Sequence, residues 1–345
     1  MNAEGIARIV EQAIPQIAFG LRPDVLDGLE GALDGLEAAL DGAEGASVGG
    51  EAALDGAEDA LSGPGDALHG LEDARTRSRA CGQASREREQ GIIQQLVDNA
   101  RIANDKQVPL CQDTGYVWVF LEVGEKDSQG WEIMIPADIF SQVDGAVARA
   151  YQRGALRLSL VRDALIDRVN TQDNTPAFCE LYLNPHITGA TLHVMLKGGG
   201  SDNASRVVML PPGEGIPGVR QVVNQAVAEK GANACPPLII GVGVGSTFDK
   251  VAGLAKRALL RPVGTENPNP QLATLEQQML ADINNLGIGA GGFGGATTAL
   301  AVHILTAPCH IAALPVAVNI GCNAMRSISV DLEKSHVSKT QGGDA

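Results

Sequence analysis

The stretch VPLCQDTGYVWVF, residues 108–120, joins a polar turn to an apolar strand. From Tyr116 onward it is rich in valine and aromatic residues, which favours a buried strand. Just before that strand, the Cys111 thiol lies two residues from the Asp113 carboxylate. Side chains that carry chemistry are often found on loops that a rigid scaffold positions. This pair is therefore the first candidate for a functional site.

On both sides of this stretch, apolar segments with strand and helix periodicity alternate along the chain. The predicted strands cover residues 116–123, 131–135, 178–183, 190–197, 237–242 and 313–319. The predicted helices cover residues 90–105, 138–152, 158–168, 217–229, 248–260, 271–285 and 295–304. This alternation favours an α/β fold of mixed α+β character, with one or more mixed sheets flanked by helices.

Charge divides the chain into unequal parts. The net charge is −15, and thirteen acids without any Lys or Arg lie between Asp27 and Asp73. The remaining residues carry a net charge of about −2. This charge does not favour binding to nucleic acid, which needs a basic surface. We predict an N-terminal helix, an acidic insertion, a main domain and a polar tail, at residues 1–26, 27–85, 86–330 and 331–345.

The acidic segment is also an internal repeat with a period of seven residues. Leucine occupies the first position in six of the seven repeats between Leu26 and Ala74, which is typical of a coiled coil. Eleven glycines lie between residues 27 and 73, each costing about 1 kcal/mol relative to alanine in a helix, and Pro64 would break a helix. We therefore favour a low-complexity insertion, helical at its ends and loose in the middle, over a coiled-coil partner arm.

Hydropathy and the N-terminal sequence indicate where the protein is located. Apolar residues make up 44% of the chain, yet no run approaches the 18 or more needed to span a membrane. The N-terminus lacks the basic start and apolar core of a secretory signal. We therefore expect a cytoplasmic protein without a membrane partner.

The six cysteines of the chain form no C-x-x-C pair. We therefore expect free thiols, a nucleophile, or ligands gathered from distant segments.

Three glycine clusters follow predicted strands or precede helical patterns, namely KGGGSDN (197–203), GVGVGST (241–247) and GAGGFGG (289–295). Glycine-rich turns let backbone N–H groups converge on an anion. None of the clusters matches a dinucleotide or P-loop fingerprint. Together they favour a small anionic ligand such as a carboxylate.

Three cysteines stand beside turn-forming residues near strand ends: Cys111, Cys235 and Cys322. Their spacing is compatible both with a metal site and with free thiols. Three thiolates around a four-iron cluster would leave one iron with an open position, which can act as a Lewis acid. The nearby Asp113 carboxylate could then move the proton.

Six motifs occur in an order that is specific as a set: CQDTG, KGGGSDN, NACPP, GVGVGSTFDKV, GFGGATTALAV and HIAALPVAVNIGCNAMR. With them the chain resembles the α-subunit, or N-terminal domain, of the class I iron–sulfur fumarate hydratases and the related L(+)-tartrate dehydratases. The resemblance covers roughly residues 88–330, with a weak match over 1–26. The insertion is not part of the family pattern.

The resemblance implies a hydro-lyase with a [4Fe-4S] cluster that acts on a C4-dicarboxylate substrate, fumarate/malate first and L(+)-tartrate as the alternative. By motif, the cluster ligands are Cys111, Cys235 and Cys322. The implied substrate-side residues are Gln112, Asp113 for proton transfer, Arg157, the backbone of Gly199, and His310. Around Arg157 the sequence GALRLSL departs from the family element N-L-R-Y-S. The remaining groups would come from a β-type fumarase subunit, with homodimerisation of αβ units.

Two other functions are compatible with these residues. The first is a hydrolase with a cysteine nucleophile, either Cys309 with His310 or Cys111 with a distant histidine, because a nucleophile needs a base but no second and third cysteine. The second is a non-catalytic scaffold that binds partners through the heptad segment. The chemical residues retained at the motifs favour the hydro-lyase.

Overall fold

The computed structural model describes residues 1–46 and 66–333 of the chain. Its helices are α1 (Ala3–Phe19), α2 (Pro23–Ala46), α3 (Asp66–Lys106), α4 (Val143–Arg153), α5 (Gly199–Asp202), α6 (Gly215–Lys230), α7 (Phe248–Ala258) and α8 (Pro270–Asn284). Its strands are β1 (Tyr116–Val123), β2 (Phe178–Leu183), β3 (Ala190–Lys197), β4 (Arg206–Leu210), β5 (Leu238–Ser246), β6 (Ala299–Cys309), β7 (Leu314–Gly321) and β8 (Arg326–Asp331). Within these residues, no helix has both the length and the hydropathy needed to cross a membrane.

The strands form two mixed sheets of four strands each. The first sheet has the order β2-β1-β3-β8, in which β1 is parallel to β2 and antiparallel to β3. The second has the order β4-β7-β5-β6, in which β5 is parallel to β6 and antiparallel to β7. Helices α1 and α4 pack on the first sheet, and α6, α7 and α8 pack on the second. The predicted class, mixed sheets flanked by helices, is confirmed.

Strand β1 is buried on both faces because each face meets a different layer. Val117 and Val119 lie in the core shared with α1 and α4. Trp118 and Phe120 lie in a second core that includes Ile239 of the other sheet. Fully burying one such side chain contributes about 1.5–3 kcal/mol. The loop that carries Cys111 and Asp113 is therefore attached to one of the best-buried strands of the fold.

Two predicted elements around the site are wrong. Residues 158–168, predicted to be helical, form an irregular loop closed by a bridge between Val161 and Asn170. Asp163 accepts hydrogen bonds from the N–H groups of nearby residues, and such local bonds compete with a helix. Residues 295–304, also predicted to be helical, contain the start of β6, which pairs along β5. The periodicity of a short apolar run does not distinguish these outcomes.

The remaining differences concern weaker strands. Residues 131–135 form no extended strand, and Glu132 makes only an isolated bridge with Lys126. Strands β4 and β8, which the sequence analysis does not predict, pair with β7 and β3 respectively. Both lie at sheet edges, where one ladder of hydrogen bonds is enough to fix a strand.

The first heptad leucines pack within this chain. Leu29 and Leu36 of α2 are buried against Ile93 and Val97 of α3. The two helices thus form a hairpin whose apolar seam is satisfied internally, as a heptad pattern allows. This part of the repeat therefore needs no other protein to bury its apolar seam.

The predicted boundaries at residues 26/27 and 85/86 fall inside the continuous helices α2 and α3. Both ends of the acidic segment are helical, as predicted. Its predicted loose middle falls largely at residues 47–65, and most of the predicted tail falls at residues 334–345, both outside the described residues. The division into domains stays a prediction.

Candidate active site

Cys111 lies in the turn between α3 and β1, and main-chain contacts fix this turn. The Leu110 N–H donates to the Ala18 carbonyl at 2.9 Å, and Asn99 Nδ2 donates to the Leu110 carbonyl at 2.9 Å. The Cys111 side chain packs in the same apolar cluster as that of Cys322. The first and third predicted ligands therefore share one environment, although they lie 211 positions apart in the sequence.

Cys235 joins them from the adjacent loop. It precedes β5, while Cys322 directly follows the antiparallel strand β7, so both lie at the same end of the second sheet. The Asn323 N–H donates to the Cys235 carbonyl at 3.0 Å. Burial, and then the nearby Cys322 and Cys111 thiols, raise the pKa of Cys235. The three cysteines are within electrostatic reach of one another.

A cavity of about 500 Å³ opens beside the Cys111 turn. It brings together four of the predicted substrate-side residues, namely Gln112, Asp113, Arg157 and Gly199. The Asp113 carboxylate is held in a fixed orientation: Oδ1 accepts from the Gly115 N–H at 3.0 Å and the Ser159 hydroxyl at 3.2 Å. Its Oδ2 accepts from the Gly199 N–H at 3.0 Å. Fixed geometry of this kind is what a proton-transferring group requires.

Two buried cations, Lys197 and Arg326, contact the segments that lead to Cys322 and Asp113. Lys197 lines the cavity at 1% exposure, and its Nζ donates to the Ser201 hydroxyl at 2.8 Å and the Ile320 carbonyl at 2.7 Å. Arg326 is equally buried, and its Nη2 donates to the Asp113 carbonyl at 2.7 Å. Among the described residues, its Nε and Nη1 have no hydrogen-bond partner.

Two unpaired nitrogens on a buried guanidinium indicate a place for an anion, because unpaired buried polar groups are costly. A cluster held by the three cysteines would bring negative charge to this region, because Arg326 follows Cys322 by four residues and binds the loop of Cys111 and Asp113. The residues therefore fit such a group. In the part of the chain that the structure describes, no three His, Cys, Asp or Glu side chains are close enough together to hold a single metal ion. A cluster has a different requirement, because each cysteine binds a different iron atom.

Neither Lys197 nor Arg326 was predicted to be a site residue, although both lie in the motifs KGGGSDN and HIAALPVAVNIGCNAMR. Lys197 ends β3 just before three glycines, and this position at a strand end was the available signal. Arg326 is the last residue of the C-terminal motif, but nothing in its neighbours indicates that it is buried.

A polar network extends from the cavity to α7. Lys197 Nζ lies 3.5 Å from Asp202 Oδ1, and the Tyr116 hydroxyl donates to Asp202 Oδ2 at 3.0 Å. Lys256 Nζ donates to the same hydroxyl at 2.9 Å and lies over the Tyr116 ring. Burial lowers the pKa of Lys256 to about 8. This network fixes the cavity wall from the side of the second sheet.

At two of the glycine clusters, backbone N–H groups donate to carboxylates of the chain itself. In the first cluster, the Gly199 N–H donates to Asp113. Directly after the third, the N–H groups of Ala296 and Thr297 donate to the fully buried Glu89 carboxylate at 2.8 and 2.7 Å. The second cluster lies within β5, where a Cβ at Gly241 would collide with the backbone of α7. Anion binding by these clusters therefore stays a prediction.

His310 lies at the opposite end of the second sheet from Cys235. It follows β6, in which Cys309 pairs with Ser246, the last residue of β5. Cys235 precedes the first residue of β5, so the length of that strand, roughly 25 Å, separates the two residues. Within one chain, the structure does not bring His310 to the cavity.

The cysteine-nucleophile alternative finds no support in this geometry. Cys309 Sγ donates to the Ala313 carbonyl at 3.3 Å, and His310 Nδ1 accepts from the Ala312 N–H at 3.1 Å. Both side chains bind their own turn rather than each other. Among the histidines that the structure describes, none lines the cavity beside Cys111.

Comparison with known proteins decides between the classes. The family model described as fumarate hydratase (Fumerase) matches residues 67–331. The chain belongs to the fumarate hydratase family. A candidate L(+)-tartrate dehydratase subunit alpha from Methanocaldococcus jannaschii is 38% identical over 70% of this chain and 84% of its own length. The L(+)-tartrate dehydratase subunits alpha of Escherichia coli (strain K12) and Shigella boydii are 33% identical over 72% of this chain and 82% of their own.

Membership in the fumarate hydratase family confirms the resemblance and makes the chain a hydro-lyase. It also argues against the nucleophile and scaffold alternatives. Members of this family are generally iron–sulfur enzymes. The match starts at residue 67, so most of α3 lies within the family pattern and α2 precedes it.

Proposed function

We propose that this chain is the α-subunit of an iron–sulfur hydro-lyase that reversibly adds water to, or removes it from, a C4 dicarboxylate. The proposal is carried by one observation: three cysteines from distant segments lie together beside a cavity that holds a fixed carboxylate and a buried cation. A carboxylate for proton transfer and cations for an anionic substrate are what this reaction needs.

Cys111, Cys235 and Cys322 would hold a [4Fe-4S] cluster. When bound, it would supply an iron with an open position, a Lewis acid toward the hydroxyl and a carboxylate of the substrate. Lys197 and Arg326 would offset the negative charge that thiolates and substrate bring into the site. The open Nε and Nη1 groups of Arg326 support this assignment.

Asp113 would take and return the proton, because three donors fix its carboxylate at the cavity wall. Arg157 and Gln112 are exposed on the same wall, and their side chains would bind one carboxylate of the substrate. The Gly199 N–H already orients Asp113. A substrate oxygen that uses this N–H would share it with the catalytic carboxylate.

Two substrates are candidates. The family model is named for fumarate hydratase, which supports fumarate/malate as the pair. The relatives from M. jannaschii and E. coli are named for L(+)-tartrate dehydratase, which supports L(+)-tartrate as the second candidate. The substrates differ by one hydroxyl group, a difference that contacts in the cavity decide.

The chain would work with two kinds of partner. The relatives are named subunit alpha, which supports a β-type subunit that completes the cavity. Because His310 lies at the far end of the second sheet, it would reach a substrate only from another copy of the chain, which supports homodimerisation of αβ units. The cytoplasmic location stays a prediction.

The test is anaerobic co-expression with the β-type subunit of the same organism, followed by assays on fumarate and L(+)-tartrate. We expect about four iron and four sulfide per α chain, with broad absorbance that bleaches in air. Each of the variants Cys111→Ser, Cys235→Ser and Cys322→Ser should lose the iron and the activity. The matched control Cys309→Ser should retain both.

Wild-type protein that turns over either substrate while free of iron would contradict the proposal. Iron that survives all three single substitutions would contradict the ligand assignment but not the reaction. Activity on one substrate alone would choose between the two candidates.

A further inference from the structure

The loop of residues 157–175 forms one wall of the cavity and then extends away from it. Leu158, Ser159, Leu160 and Asn170 line the cavity. Between them, residues 163–168 form the end of the loop, which we term the apolar tip because it carries two aliphatic side chains. Leu165 and Ile166 are 84% and 83% exposed.

The base of this loop is held by hydrogen bonds to the core. Asn174, which is fully buried, accepts from the Ser159 N–H at 2.7 Å and donates to the Gly115 carbonyl at 3.1 Å. Higher in the loop, the Arg162 N–H donates to the Val169 carbonyl at 2.8 Å. The wall and the tip thus form one connected structure.

The apolar tip itself is ordered by side-chain caps. Asp163 Oδ1 accepts from the Leu165 N–H at 2.9 Å and also from the Ile166 N–H. These bonds lower the pKa of Asp163, so the caps persist at neutral pH. Arg168 Nη1 donates to the Ala164 carbonyl at 2.7 Å and closes the tip. Because the backbone of the tip is already ordered, binding costs little further loop ordering, which favours association.

We propose that the apolar tip is a docking element for the β-type subunit, seated in an apolar pocket of that subunit beside the shared cavity. Adjacent exposed aliphatic side chains on a fixed backbone are typical of an interaction surface. The β-type subunit is the occupant because the same loop forms the cavity wall, and a partner that completes the cavity meets this wall first. This inference rests on the proposed function, in which relatives named subunit alpha indicate a two-part enzyme.

The test measures binding rather than turnover. The double variant Leu165→Ser/Ile166→Ser is purified anaerobically, and its Kd for the β-type subunit is measured by titration calorimetry. We expect at least a tenfold increase in Kd, with unchanged iron content and melting temperature of the α chain alone. The matched control is Met134→Ser, because Met134 is 81% exposed in a different groove, lined by residues 123–125 and 183–185. Its Kd should stay within twofold of wild type.

A second arm separates docking from catalysis. When the β-type subunit is raised well above the variant's Kd, the kcat of the double variant should return to the wild-type value. An unchanged Kd would overturn the inference while leaving the proposed function intact. An α chain that changes from dimer to monomer in light scattering, at unchanged Kd, would also overturn it, because the tip would then contact a second copy. Wild-type protein that binds no β-type subunit would overturn the inference together with the two-subunit function.

Discussion

Arg326 Nη2 donates to the backbone carbonyl of Asp113 at 2.7 Å, and this contact ties β8 to the loop that precedes β1. The other guanidinium nitrogens, Nε and Nη1, have no hydrogen-bond partner among the described residues. A buried cation with open donors costs free energy in the metal-free chain. The cost is consistent with a group that is kept for binding.

Arg326→Met should therefore separate stability from binding. We expect the metal-free variant to unfold at the same temperature as wild type or higher, because an unpaired buried charge is replaced by an apolar side chain. In the proposed αβ enzyme, the substrate KM should rise at least tenfold or the iron content should fall. Calorimetry of the metal-free chain, iron analysis and steady-state kinetics measure these effects.

The conservative variant Arg326→Lys serves as the control. It retains a positive charge but not the planar fork of donors, so its KM should lie between those of wild type and Arg326→Met. If Arg326→Met instead loses several kcal/mol of stability while iron and KM are unchanged, Arg326 is a structural residue.

Gly295→Ala should be far more destabilising than Gly294→Ala. Both glycines have positive φ, at 146° and 85°, so each substitution costs about 1–3 kcal/mol in backbone strain. At position 295 the added Cβ would also overlap the buried Glu89 carboxylate, whereas at 294 it meets open space. We expect a difference of at least about 2 kcal/mol between the two variants in denaturant unfolding. Equal losses would mean that the Glu89 contact is unimportant.

Four of the predicted substrate-side residues meet in one cavity, whereas two predicted helices do not form. Cys111, Gln112 and Asp113 are adjacent in the chain, so a single motif specifies one corner of the cavity. The position of Arg326 was not accessible in the same way, because its burial depends on the pairing of β8 with β3. His310 illustrates the opposite case. Its motif predicts that it lies near the substrate, but the sheet topology puts it at the end of the second sheet opposite to Cys235.

Errors in secondary structure have the same origin. The segment around Leu165 has apolar residues at helical spacing, but Asp163 binds the local N–H groups and Asn174 anchors the loop base. Residues from Ala299 onward form a strand because β5 lies alongside them. Side-chain capping and strand pairing are decided in three dimensions, so periodicity does not reveal them.

Leu29→Ala should weaken the hairpin of α2 and α3. Leu29 is fully buried against α3, so we expect a loss of about 2–5 kcal/mol in the free energy of unfolding. Leu33→Ala, at a half-buried position of the same seam, should cost about half as much. Thermal or urea unfolding measures both. If neither variant is destabilised, the repeat does not contribute to the folded domain.

His303 should make the protein acid-sensitive. It is 3% exposed, and its Nδ1 has no hydrogen-bond partner in the described part of the chain. Burial, and then the Arg261 and Arg22 guanidinium groups, lower the pKa of His303 to about 3 from 6.5. The folded state thus holds the ring neutral. The stability this provides is complete above pH 6.5 and is lost as the pH falls toward 3.

By pH 5 the loss should reach about 2 kcal/mol relative to pH 7, because the unfolded state takes up a proton that the folded state excludes. His303→Gln should remove this part of the pH dependence, whatever its effect on stability at pH 7. His186→Gln, at an exposed position, should keep the wild-type slope. Urea unfolding of the three proteins between pH 5 and 7 measures the slopes, and identical slopes for wild type and His303→Gln would show that another group causes the acid sensitivity.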